Sequence, residues 1–123
     1  MMDEQIQQAL AQDRVIDITT TGRKTGQTRR IEIWFHNVDD RIFITGSPGK
    51  RGWYANVVAH PDITFHLKKS VQADLPATVT PITDETQRRD IMGKILDSIQ
   101  RPRSELDRWV AESPLVEVSF KGN

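Results

Sequence analysis

Two short stretches of this chain hold most of the groups that could bind or transform a ligand. The first, Thr19–Arg30 (TTTGRKTGQTRR), sets two glycines, four cations and several hydroxyls between two strand-like segments. Glycine lets a backbone approach a ligand closely and opens turn conformations rich in N–H donors. Arg23, Lys24, Arg29 and Arg30 can pair with phosphate or carboxylate, the arginines bidentately and the lysine as a point charge. Thr20, Thr21 and Thr25 add neutral donors. The spacing is not that of a Walker A loop, and a dinucleotide fingerprint would open a helix here. The second stretch, Thr45–Asn56 (TGSPGKRGWYAN), repeats the chemistry. Ser47 and the glycines offer hydroxyl and amide donors, and Lys50 and Arg51 sit at a loop tip. Trp53, Tyr54 and Asn56 open a helix whose N-terminus favours anions. Apolar walls with a few directed polar groups suit a flat aromatic ring. Each stretch also has a plainer reading: a solvated basic turn for the first, core packing of Trp53 and Tyr54 for the second.

Other polar residues carry weaker signals. His36, His60 and His66 are candidate proton donors, but a lone histidine on a strand or beside a proline is more often structural. No metal is expected, because no H-x-x-x-H or H-E-x-x-H pair exists. Asp39-Asp40 reads as a turn. The pair Arg88-Arg89 and the group Arg101, Arg103, Arg108 read as solvated faces. There is no cysteine, so disulfides, thiolate chemistry and cysteine-ligated metals are excluded. Lys+Arg and Asp+Glu are 17 each, which disfavours blanket binding of nucleic acid. The N-terminal residues lack the apolar core of a signal peptide, and no window has the length or apolarity of a membrane span. The expected compartment is the cytoplasm.

The length of 123 residues fits one domain, 1–123. Residues 1–13 read as a thinly amphipathic helix with Ile6, Ala9 and Leu10 inward. Strands are expected over Arg14–Thr20, Arg30–Val38 and Arg41–Thr45. In the second of these, Ile31, Ile33 and Phe35 share one face, and Arg30, Glu32, Trp34 and His36 the other. Trp53–His60 reads as a short helix ended by Pro61. A strand pair follows over Asp62–Lys69 and Val71–Ile82, where Pro76 and Pro81 predict an edge or a bulge. Residues 83–112 read as peripheral helices, capped by Thr83 and by Ser104, with Ile91, Ile95, Leu96 and Ile99 as a buried stripe. Leu115–Phe120 is a final strand. Hairpin strands with late helices predict a mostly β fold with peripheral helices, an antiparallel barrel or an α+β domain rather than a parallel α/β sheet.

Together the two stretches resemble the deazaflavin-dependent nitroreductase family of split β-barrel proteins. The matching elements are TTTGRKTGQTRR at 19–30, a strand hairpin, and TGSPGKRGWYANVVAHPDITFHLK at 45–68. The resemblance implies a split barrel similar to pyridoxamine-phosphate oxidase-like, FMN-binding proteins. It implies a hydride passed from coenzyme F-420 to a small organic acceptor such as a quinone or nitroaromatic. FMN on the same barrel, or cofactor binding without turnover, are the alternatives. By position, Arg23, Lys24, Thr25 and Arg29 would meet the cofactor's phosphate or acidic tail, with Ile33 and Trp34 beside them. Thr45, Gly46, Ser47 and Pro48 would line the ring, and Trp53, Tyr54 and Asn56 would complete the wall. Ser47 is the preferred donor to the acceptor. Monomers and homodimers both fit the resemblance. The late segment Gln100–Trp109 (QRPRSELDRW) lacks the row of tyrosines found in the best-known members; Tyr54 is the only tyrosine in the chain.

Overall fold

The computed structural model describes residues 2–121. Six strands form one closed antiparallel sheet: β1 (Val15–Thr21), β2 (Thr28–Val38), β3 (Arg41–Thr45), β4 (Asp62–Leu67), β5 (Ala73–Pro81) and β6 (Leu115–Phe120). The order around the barrel is β1-β2-β3-β6-β5-β4, and β4 closes it on β1 through Ile16↔Leu67 and Ile18↔Phe65. Every pairing is antiparallel, so β1, β3 and β5 run one way and β2, β4 and β6 the other. The connections leaving β1, β3 and β5 therefore all emerge at the same end.

The strands alternate as their sequences predict. Ile16, Ile18, Phe35, Ile44, Phe65, Leu67, Val79 and Val118 point into the barrel and are buried. Phe65 packs edge-on against Phe35 at 5.3 Å and Phe120 at 5.1 Å between ring centroids. β3 does not alternate in burial: Ile42, Phe43, Ile44 and Thr45 are all buried. Its outer face is covered by α3 (Glu85–Ser98) and α4 (Leu106–Glu112), which form a second core around Phe43, Met92, Ile95, Trp109 and Leu115. A strand covered on both faces reads as a continuous apolar run. The other helices are α1 (Glu4–Gln12), capped by the Asp3 carboxylate, and α2 (Gly52–Ala59). No helix among the described residues is long and apolar enough to cross a membrane.

The β2–β3 hairpin turns on Asp39 and Asp40 with φ of 53° and 65°, the two positive-φ positions of a tight hairpin loop. The Asp40 N–H donates to the Asn37 side-chain oxygen at 3.0 Å. Pro76 and Pro81 do not mark an edge, because β5 is bonded on both sides. Each proline instead points its nitrogen past the end of a neighbour. The Pro76 carbonyl accepts from the Lys121 N–H, so its nitrogen faces the end of β6. Pro81 faces β4's side, beyond Pro61, whose carbonyl is taken by the Val79 N–H. A missing donor is harmless where the ladder has stopped. The expected caps also move. Asp84, not Thr83, caps α3 by accepting from the Gln87 N–H at 2.9 Å. Ser104 caps nothing; a 3-10 turn over Arg103–Glu105 leads into α4.

His36 lies on the outer face of β2 yet is 7% exposed. Burial, helped by nearby Arg14, pushes its pKa down to about 4. The unfolded chain then takes up a proton that the native state refuses as pH falls from the ordinary value of 6.5 to about 4. The shift costs nothing above the unfolded pKa and lowers stability progressively across that window, by about 3 kcal/mol once complete. Urea midpoints at pH 7 and pH 5 should show a fall that His36→Gln reduces; an equal fall in the variant would refute the assignment. Phe65→Ala should destabilise the barrel by about 3–5 kcal/mol in the same assay.

Candidate functional site

The two glycine- and cation-rich stretches converge at the end of the barrel from which β1 and β3 emerge. The β1–β2 turn is closed by the Gly22 N–H to the Gln27 carbonyl at 2.7 Å and the Gly26 N–H to the Gly22 carbonyl at 2.9 Å. A Cβ on Gly22 would stand 3.0 Å from the Thr25 hydroxyl and 3.1 Å from the Gln27 carbonyl, and Gly26 has φ of 72°. Neither position accepts a side chain without strain. Asn56 joins this turn to α2. Its side-chain oxygen accepts from the Arg23 N–H at 3.2 Å, and its amide donates to the Thr20 hydroxyl at 3.3 Å. Asn56 is buried, so these bonds are what make its position tenable. Between turn and helix lies a cleft of about 500 Å³. Arg23, Lys24, Thr25 and Arg29 line one side, and Gly52, Trp53 and Asn56 the other. No side chain caps the first turn of α2, whose amides sit at this cleft.

A wider cleft of about 970 Å³ adjoins it, sharing Arg23. Its walls are largely apolar: Tyr54, Ala55 and Val58 of α2 face Ile82 and Pro114. Trp53 and Tyr54 meet edge-to-face with centroids 5.9 Å apart, which turns Trp53 to the inner cleft and Tyr54 to the wider one. Arg88 also lines the wider cleft, and this corrects its reading as part of a solvated face. Arg89 does lie in solvent, paired with Asp107 at 2.7 Å. Arg88 instead donates to the carbonyls of Val110 at 2.9 Å, Ile82 at 2.8 Å and Ser113 at 2.5 Å. Burial lowers its pKa below the usual guanidinium value. The signal was present in the sequence, since position 88 continues the Ile91, Met92, Ile95, Leu96 stripe one turn toward the N-terminus.

The electrostatics are uneven. Of 17 lysines and arginines, nine form ion pairs with carboxylates: Arg30, Arg41, Lys68, Arg89, Lys94, Arg101, Arg103, Arg108 and Lys121. Among the described residues, the other eight have no such partner, and six of these line the two clefts: Arg23, Lys24, Arg29, Lys50, Arg51 and Arg88. The only carboxylate in either lining is Glu112, which pairs with Arg108 at 3.2 Å. A chain of zero formal charge thus holds a concentrated positive field at one end.

Other expected residues lie elsewhere. Ser47, with Gly46 and Pro48, lines neither cleft; its side chain is exposed and its carbonyl accepts from Arg51 at 2.9 Å. Thr45 is buried, donating its hydroxyl to the Pro114 carbonyl at 2.5 Å. The pleat separates Ile33 from Trp34: Ile33 packs into the barrel core, Trp34 is 51% exposed on the outer face, and Ile31 takes the place at the inner cleft. No histidine lines either cleft. His66 instead links three strands on the outer face, with Nε2 2.7 Å from the Thr19 hydroxyl and Nδ1 2.7 Å from the Asp74 carboxylate. That string has the atom order of a nucleophilic triad, but none of its three residues lines either cleft; it ties β1, β4 and β5 together. Sequence reasoning missed the far wall of the wider cleft altogether: Ile82, Thr83, Arg88 and the Ala111–Pro114 corner.

Solved structures share this architecture. A conserved hypothetical protein of Mycobacterium tuberculosis superposes with a TM-score of 0.78 at 14% identity, covering 98% of this chain and 82% of the other. A structure named F420 Reductase superposes at 0.70 and 17% identity, covering 94% and 93%. An FAD-binding protein of Mesorhizobium loti superposes at 0.61 and 15%, covering 98% and 89%. At these identities the likeness speaks for the fold, a split β-barrel of the kind that houses pyridoxamine-phosphate oxidase-like and flavin-binding proteins. The sequence itself matches a family model over residues 2–100, a span that takes in both cation-rich stretches and α2, and by that match the chain belongs to the F420H(2)-dependent quinone reductase family.

Proposed function

We propose that this protein is a reductase that uses coenzyme F-420 and passes a hydride to a small organic acceptor such as a quinone or nitroaromatic. The observation that carries the reading is the gathering of six cations without carboxylate partners around two adjoining clefts, one lined by donors and the other by apolar side chains. Family membership supports the choice of cofactor.

The inner cleft fits an anion. Arg23, Lys24 and Arg29 lack internal counter-charges there, and the first-turn amides of α2 add to the field. These groups, with Thr25, would hold the phosphate end of the cofactor. Tyr54, Val58, Ile82 and Pro114 of the wider cleft suit a flat ring and a flat acceptor beside it. When bound, reduced deazaflavin supplies the hydride. The chain anchors, orients and excludes water from the reacting faces. Asn56 acts indirectly, by holding the Arg23 backbone against α2.

Fluorescence titration of the purified protein with F-420 and with FMN tests the reading. Tight F-420 binding is expected, weakening as salt is raised. A clear preference for FMN would move the reading to a flavin reductase on the same barrel. The double variant Arg23→Ala, Lys24→Ala should lose about 1–3 kcal/mol of affinity per charged hydrogen bond removed, with an unchanged far-UV spectrum. Unaltered affinity would remove the inner cleft from the scheme. Asn56→Ala should weaken binding without removing a charge, and should lower stability by about 1–3 kcal/mol, because the Arg23 N–H and Thr20 hydroxyl lose their partner.

A further inference from the structure

We propose that the wider cleft takes an anionic acceptor, a flat apolar body bearing a carboxylate or sulfonate, and that Lys50 at its rim selects for that charge. The inference deepens the reductase reading and rests on it for what happens to the ligand, not for how the ligand binds.

The cations of the two clefts are not equivalent. Arg23, Lys24 and Arg29 line the inner cleft, and of these only Arg23 reaches the wider one. Arg88 spends its guanidinium on the carbonyls of Ile82, Val110 and Ser113. Arg51 spends its own on the carbonyls of Ser47 and Lys50. Lys50 is the remaining cation of the wider cleft, and it does not line the inner one. Among the described residues its ammonium has neither a hydrogen bond nor an ion pair, and the residue is exposed. An acid group of a ligand reaches it without any opening of the fold.

The loop fixes where this lysine stands. The Gly49 N–H donates to the Glu112 carbonyl at 3.0 Å, which ties the loop tip to the end of α4. Gly49 has φ of 126°, and a Cβ there would stand 3.2 Å from Arg51 Nη1. Glycine thus lets the chain turn beneath the Arg51 side chain. Arg51 Nη1 in turn donates to the Lys50 carbonyl at 3.0 Å. The backbone of Lys50 is therefore held on both sides while its side chain is left free.

The surroundings define the ligand. Tyr54, Val58, Ile82 and Pro114 suit a flat apolar body, and the loop brings positive charge to one edge of it. A neutral acceptor would make no use of Lys50, and the inner cleft already serves the cofactor's phosphate. Glu112, the one carboxylate of the lining, is offset by Arg108 at 3.2 Å. A single exposed ion pair contributes little, but the charges of Arg23, Arg51 and Arg88 add to the same field. The acid group binds and orients the acceptor and takes no part in the transfer.

The test compares 2-naphthoate with 2-naphthamide, which share a skeleton and differ in charge. Both are titrated by NMR against the cofactor-free protein and its variants. The wild type is expected to prefer the naphthoate, by a margin that narrows as salt is raised. Lys50→Ala should bind naphthoate about 3- to 5-fold more weakly and naphthamide as before, and Lys50→Glu should lose more. Lys24→Ala, which alters the inner cleft alone, should keep the wild-type preference. No preference in the wild type, a preference untouched by Lys50→Ala, or its loss in Lys24→Ala instead would each overturn the proposal. With F-420 bound, Lys50→Ala should raise KM for anthraquinone-2-sulfonate while kcat, KM for menadione and F-420 affinity hold. Weaker F-420 binding in that variant would give Lys50 to the cofactor and also overturn the proposal. Should F-420 fail to bind the wild type, the reductase reading falls, and the naphthoate comparison still decides the role of Lys50.

Discussion

Barrel closure governs the end of this molecule that carries the two clefts. β1 is bonded on both sides, to β2 and to β4, and that second ladder is what brings α2 against the end of β1. With six antiparallel strands in a ring, the exits of β1, β3 and β5 must share one end. The cationic turn, the loop into α2 and the link into α3 therefore meet without any special affinity for one another. α4 returns to the same end because β6 must start there to pair with β3. The clefts are the space left between these arrivals.

Charge is then distributed against that frame. The barrel's outer face neutralises its own ions. Lys68 bridges Asp17 and Glu32, Arg30 also takes Asp17, and Arg41 grips Glu117 with two hydrogen bonds. Such exposed pairs contribute little to stability. Their consequence is electrostatic: carboxylates are consumed away from the clefts, and the cations at the clefts are left with solvent or backbone carbonyls. Arg51 shows the pattern locally, folding back on the carbonyls of Ser47 and Lys50 and so shaping its loop while keeping its charge uncompensated. A neutral chain can in this way present a strongly positive mouth to an anionic ligand.

Departures from satisfied packing cluster at the same end. Arg88 is partly buried with carbonyls alone for company, and the Ser113 hydroxyl beside it has no partner. By contrast Asn56, also buried, is satisfied by Thr20 and Arg23. Natural proteins break local rules chiefly where function requires it.

Much of this was legible along the chain. Local periodicity and turn chemistry set the strands, the Asp39-Asp40 hairpin and the helices, because those depend on neighbours in sequence. The density of glycine and cation at 19–30 and 45–56 singled out both stretches, and Arg23, Lys24, Thr25, Arg29, Trp53 and Asn56 do line one cleft. What tertiary structure alone decided was where along its element each residue sits, and so whether it meets a cleft, the core or solvent. Ile31 rather than Ile33 reaches the cleft, Thr45 is sealed under Pro114, and Ser47 turns to water. The far wall, with Arg88 and Ser113, comes from residues 23 or more positions beyond α2, and only barrel closure places them opposite it. Sequence reports local preference; the meeting of distant segments is a property of the closed sheet.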